Sequence, residues 1–225
     1  MKRKIITTSD GSTTIQIVDW NEQYHSIHGA IQEAYHVFIK SGLSLFKHQD
    51  LSILEIGFGT GLNAIITSIE SEKLDLNIDY VCVEAYPVIP EEISQLNYMQ
   101  QLEASDFHQQ FSKMHSCEWE KVCALSNNFK LTKQQKDFKQ IKEINFFNLI
   151  YFDAFGARVQ PELWTEEIFL IMYNALKENG VLVTYAAKGS VRRAMQAVGF
   201  SVERLPGPPG KREMLRATKR FKEKL

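Results

Sequence analysis

The sequence predicts an α/β fold: a mostly parallel seven-stranded sheet with a C-terminal antiparallel hairpin strand, preceded by an N-terminal β-hairpin and helix. Three observations carry this expectation. Short apolar runs alternate with helical periodicity from Leu51 to Val198, a glycine-rich turn follows the first of those runs, and the last two runs are joined only by Pro and Gly. Strands alternating with helices imply parallel neighbours with crossovers, whereas two strands joined by a tight turn must pair antiparallel. A chain of 225 residues fits one domain around one core. Residues 1–48 then form an N-terminal extension and residues 49–225 the core of the fold.

Lys4 to Thr8 and Thr13 to Val18 flank Asp10-Gly11, a short-range signal for a hairpin. From His28 to Leu45, Ile31, Ala34, Tyr35, Phe38 and Leu45 recur at helical spacing, and Gly42 marks a stop. Leu51–Ile56 is a strand running into glycines, and Leu62–Ile69 is the helix after them. Ile78–Val83 is the next strand and ends on Glu84. Pro90 to Met114 reads as helical with a break near Ser105, and Phe129–Thr132 as a third strand. Phe147–Phe152 is a fourth, ending on Asp153. Pro161–Leu176 is a helix with Pro161 in its first turn and glutamates at its positive end. Asn179-Gly180 turns the chain into strand Val181–Tyr185, and helix Ser190–Val198 stops at Gly199. Strands Phe200–Leu205 and Glu213–Ala217 close the fold.

Composition is that of a globular protein, with 44% hydrophobic and 24% charged residues. No apolar stretch approaches the ~20 residues of a membrane span, no secretory h-region follows the basic N-terminus, and the three cysteines form no Cys-x-x-Cys pair. A cytoplasmic protein is expected. The six histidines have no partners at ligand spacing, so no metal is expected. Net charge is only −1, yet from Ala186 onward eleven cations, Lys222 and Lys224 among them, face three glutamates. That asymmetry fits either a basic face meeting an anion or a solvated tail.

The glycine turn reads Glu55-Ile56-Gly57-Phe58-Gly59-Thr60-Gly61. A dinucleotide fingerprint would place its third glycine at position 62, which is Leu62. Glu-x-Gly-x-Gly-x-Gly instead matches motif I of Rossmann-like class I S-adenosylmethionine-dependent methyltransferases. Glu55, Gly57, Gly59, Thr60, Gly61 and Asn63 are therefore the expected cofactor loop. Glu84, at the end of the second strand, suits the two ribose hydroxyls, and Asp137 the adenine end. Asp153, at the end of the fourth strand, is the candidate catalytic residue. Base-amine methyltransferases carry Pro-Pro-Tyr/Phe at that point and this chain does not, so a carboxylate there suits an aliphatic amine that must be oriented and relieved of a proton.

Four segments resemble one family. They are Tyr24-His25-Ser26 with Gly29-Ala30, Glu33 and His36-Val37-Phe38; Leu54 to Asn63; Asp153-Ala154-Phe155 with Gln160 to Thr165; and Gly207 with Lys211-Arg212-Glu213-Met214. Together they resemble the methyltransferase domain of the bifunctional tRNA 5-methylaminomethyl-2-thiouridine biosynthesis protein (MnmC), in its stand-alone, MnmD-like form. The resemblance implies methylation of the 5-aminomethyl group of a wobble uridine, with the tRNA anticodon region as partner. It implies substrate contacts at Tyr24, His25, Ser26, Arg192, Arg193, Lys211 and Arg212. Only one glycine loop is present, so the FAD oxidase activity of bifunctional members is not expected. Two departures stand out: Lys136-Asp137 where the family shows Gly-Asp, and Gly156-Ala157 where it shows Ala-Pro. A methyltransferase for a small-molecule amine and a non-catalytic module binding S-adenosylmethionine or tRNA are the alternatives; oligomeric state is not legible.

Overall fold

The structure, a computed structural model, describes residues 2–220. Strands β1 (Arg3–Thr7), β2 (Thr13–Ile17) and β3 (Glu22–Gln23) make an antiparallel N-terminal sheet. The Asp10-Gly11 turn lies where it was expected, and β3 adds a third strand beside β2. The expected helix over 28–45 is one helical path of three kinds: α1 (Ala30–Ala34), a wider π-type turn (Tyr35–Lys40) and a 3-10 turn (Leu43–Leu45).

The large sheet contains β4 (Gln49–Ile56), β5 (Leu76–Val83), β6 (Val122–Ala124), β7 (Phe129–Gln134), β8 (Phe147–Phe152), β9 (Leu176–Thr184), β10 (Ser201–Pro206) and β11 (Glu213–Thr218). Their order is β10-β11-β9-β8-β4-β5-β7-β6. The five central strands, β9 to β7, are parallel, and β11 enters antiparallel against β9 with β10 beyond it. All seven expected strands are present. The eighth, β6, is a three-residue antiparallel edge whose Val122 is 67% exposed, so it carries no buried apolar run to announce it.

Both faces of the sheet are covered, which is why β4, β5, β8 and β9 are apolar along most of their C-terminal halves. Along β4, Leu51 and Ile53 enter the core that contains α1, α2 (Leu62–Lys73), α4 (Tyr98–Gln101) and α5 (His108–Ser116). Leu54 and Ile56 enter the opposite core, with α6 (Glu166–Ala175) and α7 (Gly189–Ala197). The expected helical stretch from Pro90 breaks near Ser105, where a 3-10 turn (Ser105–Phe107) separates α4 from α5. It breaks earlier as well: α3 (Pro90–Ile93) ends before Asn97, whose side chain accepts from Thr13 N (2.8 Å) and donates to Gly11 O (2.9 Å). Pro161–Trp164 is a 3-10 turn separate from α6; Thr165 between them is extended and caps Ile168 N. Among the described residues, no helix is long and apolar enough to cross a membrane.

The chain winds from β4 out through β5 to β7, then returns to β8 on the other side of β4. In such a sheet the reversal opens a crevice beyond the C-terminal ends of the two inner strands. Ile56 pairs with both Phe152 and Val83, so Gly57, Asp153 and Glu84 leave the sheet side by side.

Candidate active site

At that edge lies a cavity of about 480 Å³, within the size range of small-molecule sites. Its floor is the glycine loop. Gly57 has φ 88° and Gly59 φ 51°, both left-handed. A Cβ on Gly57 would stand 3.0 Å from the Asp153 carbonyl oxygen, so a glycine there lets β4 and β8 end together. Glu84 grips the loop from the side: its carboxylate accepts from Gly59 N (3.0 Å) and Tyr86 N (2.8 Å). Asp137 reaches the cavity beside Phe138, while its own carboxylate caps the following turn through Lys139 N at 2.8 Å.

Two carboxylates meet across one amide. Asn63, on the first turn of α2, donates to Glu55 Oε1 (3.0 Å) and to Asp153 Oδ2 (2.8 Å). Glu55 is fully buried, and burial pushes its carboxyl well above the usual range. Asp153 lines the cavity, and burial pushes its carboxyl up to about 7; the Glu33 carboxylate adds to the rise, while Asn63 and the Lys211 ammonium oppose it.

The opposite wall comes from the N-terminus. Trp20 and Tyr24 meet the ring of Phe155 edge-on, at centroid distances of 5.8 and 5.0 Å. Arg158 holds this wall to the β8 loop through Glu22 and Trp20 O. Arg3 lies over Tyr24 at 5.7 Å and pairs with Glu92 at 3.1 Å. His25 bonds Thr14 Oγ1 through Nδ1 (2.9 Å), and burial pulls its ring down to about 4, so it is neutral at physiological pH.

Of the residues expected from the sequence, Gly57, Gly59, Asn63, Glu84, Asp137, Asp153, Tyr24, His25, Ser26 and Lys211 line this cavity. Thr60 does not: its hydroxyl is buried against Tyr98 OH at 2.9 Å, so it serves the loop's packing. Gly61 also lies outside the lining, packed against Phe58, Met114 and His115 as the left-handed residue before α2. Lys211, expected among the substrate contacts, is turned inward against Glu33 at 2.5 Å. Arg212 lines a second, more open hollow of about 450 Å³ with Lys188, Trp164 and Tyr185, and Lys211 and Tyr185 face both spaces. Arg192 and Arg193 line neither. Lys222 and Lys224 lie outside the described residues. Motif reading assigns no role to Arg3, Trp20, Glu33, Phe155 or Tyr185, which distant segments bring to the site; Glu33 and Phe155 stand only within the family-like segments.

The cavity suits S-adenosylmethionine on three counts. The loop exposes backbone without side chains, Glu84 stands beside it with lone pairs to spare, and Asn63 Oδ1 in the lining is buried with no partner. Glu55, expected among the cofactor residues, lies outside the lining, fully buried behind Asn63. An unpartnered buried acceptor beside the Asp153 carboxyl favours a ligand that brings a donor or a positive charge.

Residues 97–220 match the model of a family described as S-adenosyl-L-methionine-dependent methyltransferase. The chain is 26% identical over 226 residues to the tRNA 5-methylaminomethyl-2-thiouridine biosynthesis bifunctional protein MnmC of Hydrogenovibrio crunogenus, covering 95% of this chain and 33% of that protein. It is 25% identical over 217 residues to the MnmC of Idiomarina loihiensis, covering 87% and 35%. The chain thus spans about a third of the length of these relatives. Among solved structures, MNMC2 from Aquifex aeolicus superposes with a TM-score of 0.79 at 26% identity, over 97% of this chain and 70% of that one. Spermidine synthase from Thermotoga maritima, at TM-score 0.56 and 16% identity over 97% and 74%, shares the fold. With more than half of its length matching the family model, and a glycine loop, acidic strand ends and cavity that fit the cofactor, the chain belongs to the S-adenosyl-L-methionine-dependent methyltransferases.

Proposed function

We propose that this methyltransferase acts on the 5-aminomethyl group of a wobble uridine in the anticodon of tRNA, giving 5-methylaminomethyl-(2-thio)uridine in the cytoplasm. The observation that carries the reading is Asp153, a cavity-wall carboxyl pushed up to about 7 by burial. An aliphatic amine arrives as an ammonium and must lose a proton before it has a lone pair to donate. A carboxylate at the ordinary value of ~3.9 accepts that proton poorly; one near 7 is matched to the task.

The same geometry supports the binding roles. Gly57 and Gly59 offer backbone to the methionine part of the cofactor, Glu84 its carboxylate to the ribose, and Asp137 with Phe138 the adenine end. Bound there, S-adenosylmethionine supplies an electrophilic methyl group on a sulfonium. Asp153 receives the substrate ammonium in a charge-assisted hydrogen bond, holds the nitrogen in place and takes its proton. Asn63 fixes the orientation of that carboxylate from behind. Trp20, Tyr24 and Phe155 keep water from the amine and offer aromatic faces to the base. The names of the MnmC relatives, which concern biosynthesis of this modified uridine in tRNA, support the choice of amine.

The test is transfer of labelled methyl to tRNA that carries the unmethylated aminomethyl group, followed by nucleoside analysis. Wild type is expected to place label in methylaminomethyl-uridine, and Asp153→Ala to lower the rate at least 100-fold. Cofactor binding without label in that tRNA overturns the reading in favour of a small-molecule amine.

A further inference from the structure

We infer that Glu33 and Lys211 act as a positioning pair for the reaction: together they close the wall beside Asp153 and balance the charge against which that carboxylate receives the substrate proton. The inference rests on the reading of Asp153 as proton acceptor. It assigns Lys211 to the interior of the site and not to nucleic-acid phosphate.

The contacts form a chain that ends on the residue next to Asp153. Glu33, on α1, is 7% exposed; its Oε2 accepts from Ser26 N at 2.8 Å, and its Oε1 takes the Lys211 ammonium at 2.5 Å. That ammonium, from the turn between β10 and β11, lies 3.8 Å from the centroid of the Tyr185 ring. Tyr185, following β9, donates its hydroxyl to Ala154 O at 2.8 Å, on the residue next to Asp153. Four separate segments are thus tied to the β8 end by one ion pair and one ring.

Such a pair is a weak source of stability, because desolvating two charges offsets most of their attraction. Its electrical effect at Asp153 is specific. Glu33 and Lys211 both act on Asp153 and in opposite directions. The other groups facing Asp153 are Glu55 on β4, reached through Asn63, and Tyr185 just after β9. His25, in the loop that Glu33 holds, is neutral. Glu33 and Lys211 are accordingly the pair whose charges can be removed singly or together.

The experiment follows the Asp153 carboxyl directly, by carbon-13 NMR of aspartate-labelled protein with the resonance assigned through Asp153→Asn. In parallel it records the pH profile of kcat/KM for methylation of aminomethyl-bearing tRNA. Lys211→Met leaves an unopposed anion, and the titration is expected to move up by about one pH unit. Glu33→Gln leaves an unopposed cation, and the titration is expected to move down by a similar amount. The acid limb of the profile moves with it, and Lys211→Arg returns both toward wild type. The double variant, which buries no lone charge, is expected near the wild-type position and keeps the test open if a single variant does not fold. An Asp153 titration that stays put, or moves the same way in both single variants, overturns the pair. Opposite movements in a wild-type background that methylates no tRNA overturn the proposed substrate and leave the pair standing.

Discussion

Asp153 is held where its protonated form is favoured, and that has a cost in stability with a definite sign. Its folded value of about 7 lies above the unfolded reference of 3.8, so between these limits the folded state binds more protons than the unfolded one. Stability then falls as pH rises through that window and levels off above it. Asp153→Asn keeps an oxygen for Asn63 to donate to and cannot ionise. It is expected to abolish methyl transfer while raising stability by about 1–3 kcal/mol at pH 8 relative to pH 5, an increase in Tm of several degrees for a chain this size. Thermal unfolding of both proteins at the two pH values checks this; an equal change at both pH values would show that the carboxyl is not strained. The position of this residue was legible in the sequence because it ends an apolar strand. Its environment was not: Glu33, Lys211 and Tyr185 are far from it in the chain and meet only in the fold. Thr60 shows the reverse limit, since motif spacing places its backbone but not the direction of its hydroxyl, which goes to Tyr98.

The N-terminal sheet is the element that turns an open crevice into a cavity. It supplies Arg3, Ile17, Trp20, Glu22 and Tyr24 to the wall, yet its own strands are short and its outer strand is only partly buried. Asn97 pins it from outside, exchanging bonds with Thr13 N, Thr13 Oγ1 and Gly11 O. Asn97→Ala leaves those backbone groups unpaired, so it is expected to cost about 1–3 kcal/mol. It should also speed proteolysis within residues 1–23 and weaken S-adenosylmethionine binding several-fold in calorimetry. Unaltered cleavage and affinity would mean the sheet is held by its other contacts, Arg158–Glu22, Arg3–Glu92 and the Thr8 and Asp10 bonds to α1 among them. The sequence announced the hairpin through Asp10-Gly11 but not its docking, because Asn97 reads as one polar residue in an interrupted helix. β6 escaped notice for a related reason: three half-exposed residues carry no periodicity. β4, β5, β8 and β9 were legible because burial on both faces demands apolar runs near their C-terminal ends; β7, Phe129-Lys130-Leu131-Thr132-Lys133-Gln134, alternates and was legible only in part.

Across the whole molecule, the basic surplus of the C-terminal segment is partly spent inside the fold. Arg204 and Arg216 pair with Glu213 and Glu203 across the β10–β11 hairpin at 3.6 and 3.2 Å. Lys219 is buried, bonded to Asn145 and to Leu176 O. Lys211 is held by Glu33. Lys188 and Arg212 differ: no carboxylate pairs with them among the described residues, and both line the hollow that shares Tyr185 and Lys211 with the reaction cavity. The shared lining makes that hollow a path for a polynucleotide whose acceptor base enters beside Asp153: Trp164 and Val191 provide apolar wall there, and these two cations would meet the backbone. Lys188→Glu with Arg212→Glu is therefore expected to raise KM for tRNA at least tenfold at about 0.1 M salt and to flatten its salt dependence, each lost phosphate contact lowering the slope by about 0.7–0.9. Affinity for S-adenosylmethionine should not move. Arg192→Glu with Arg193→Glu, on the part of α7 that lines neither space, should have the smaller effect. If KM and its salt slope are unchanged in the first variant while methylation of tRNA persists, the RNA path crosses another face, and the C-terminal charge is a solvated surface.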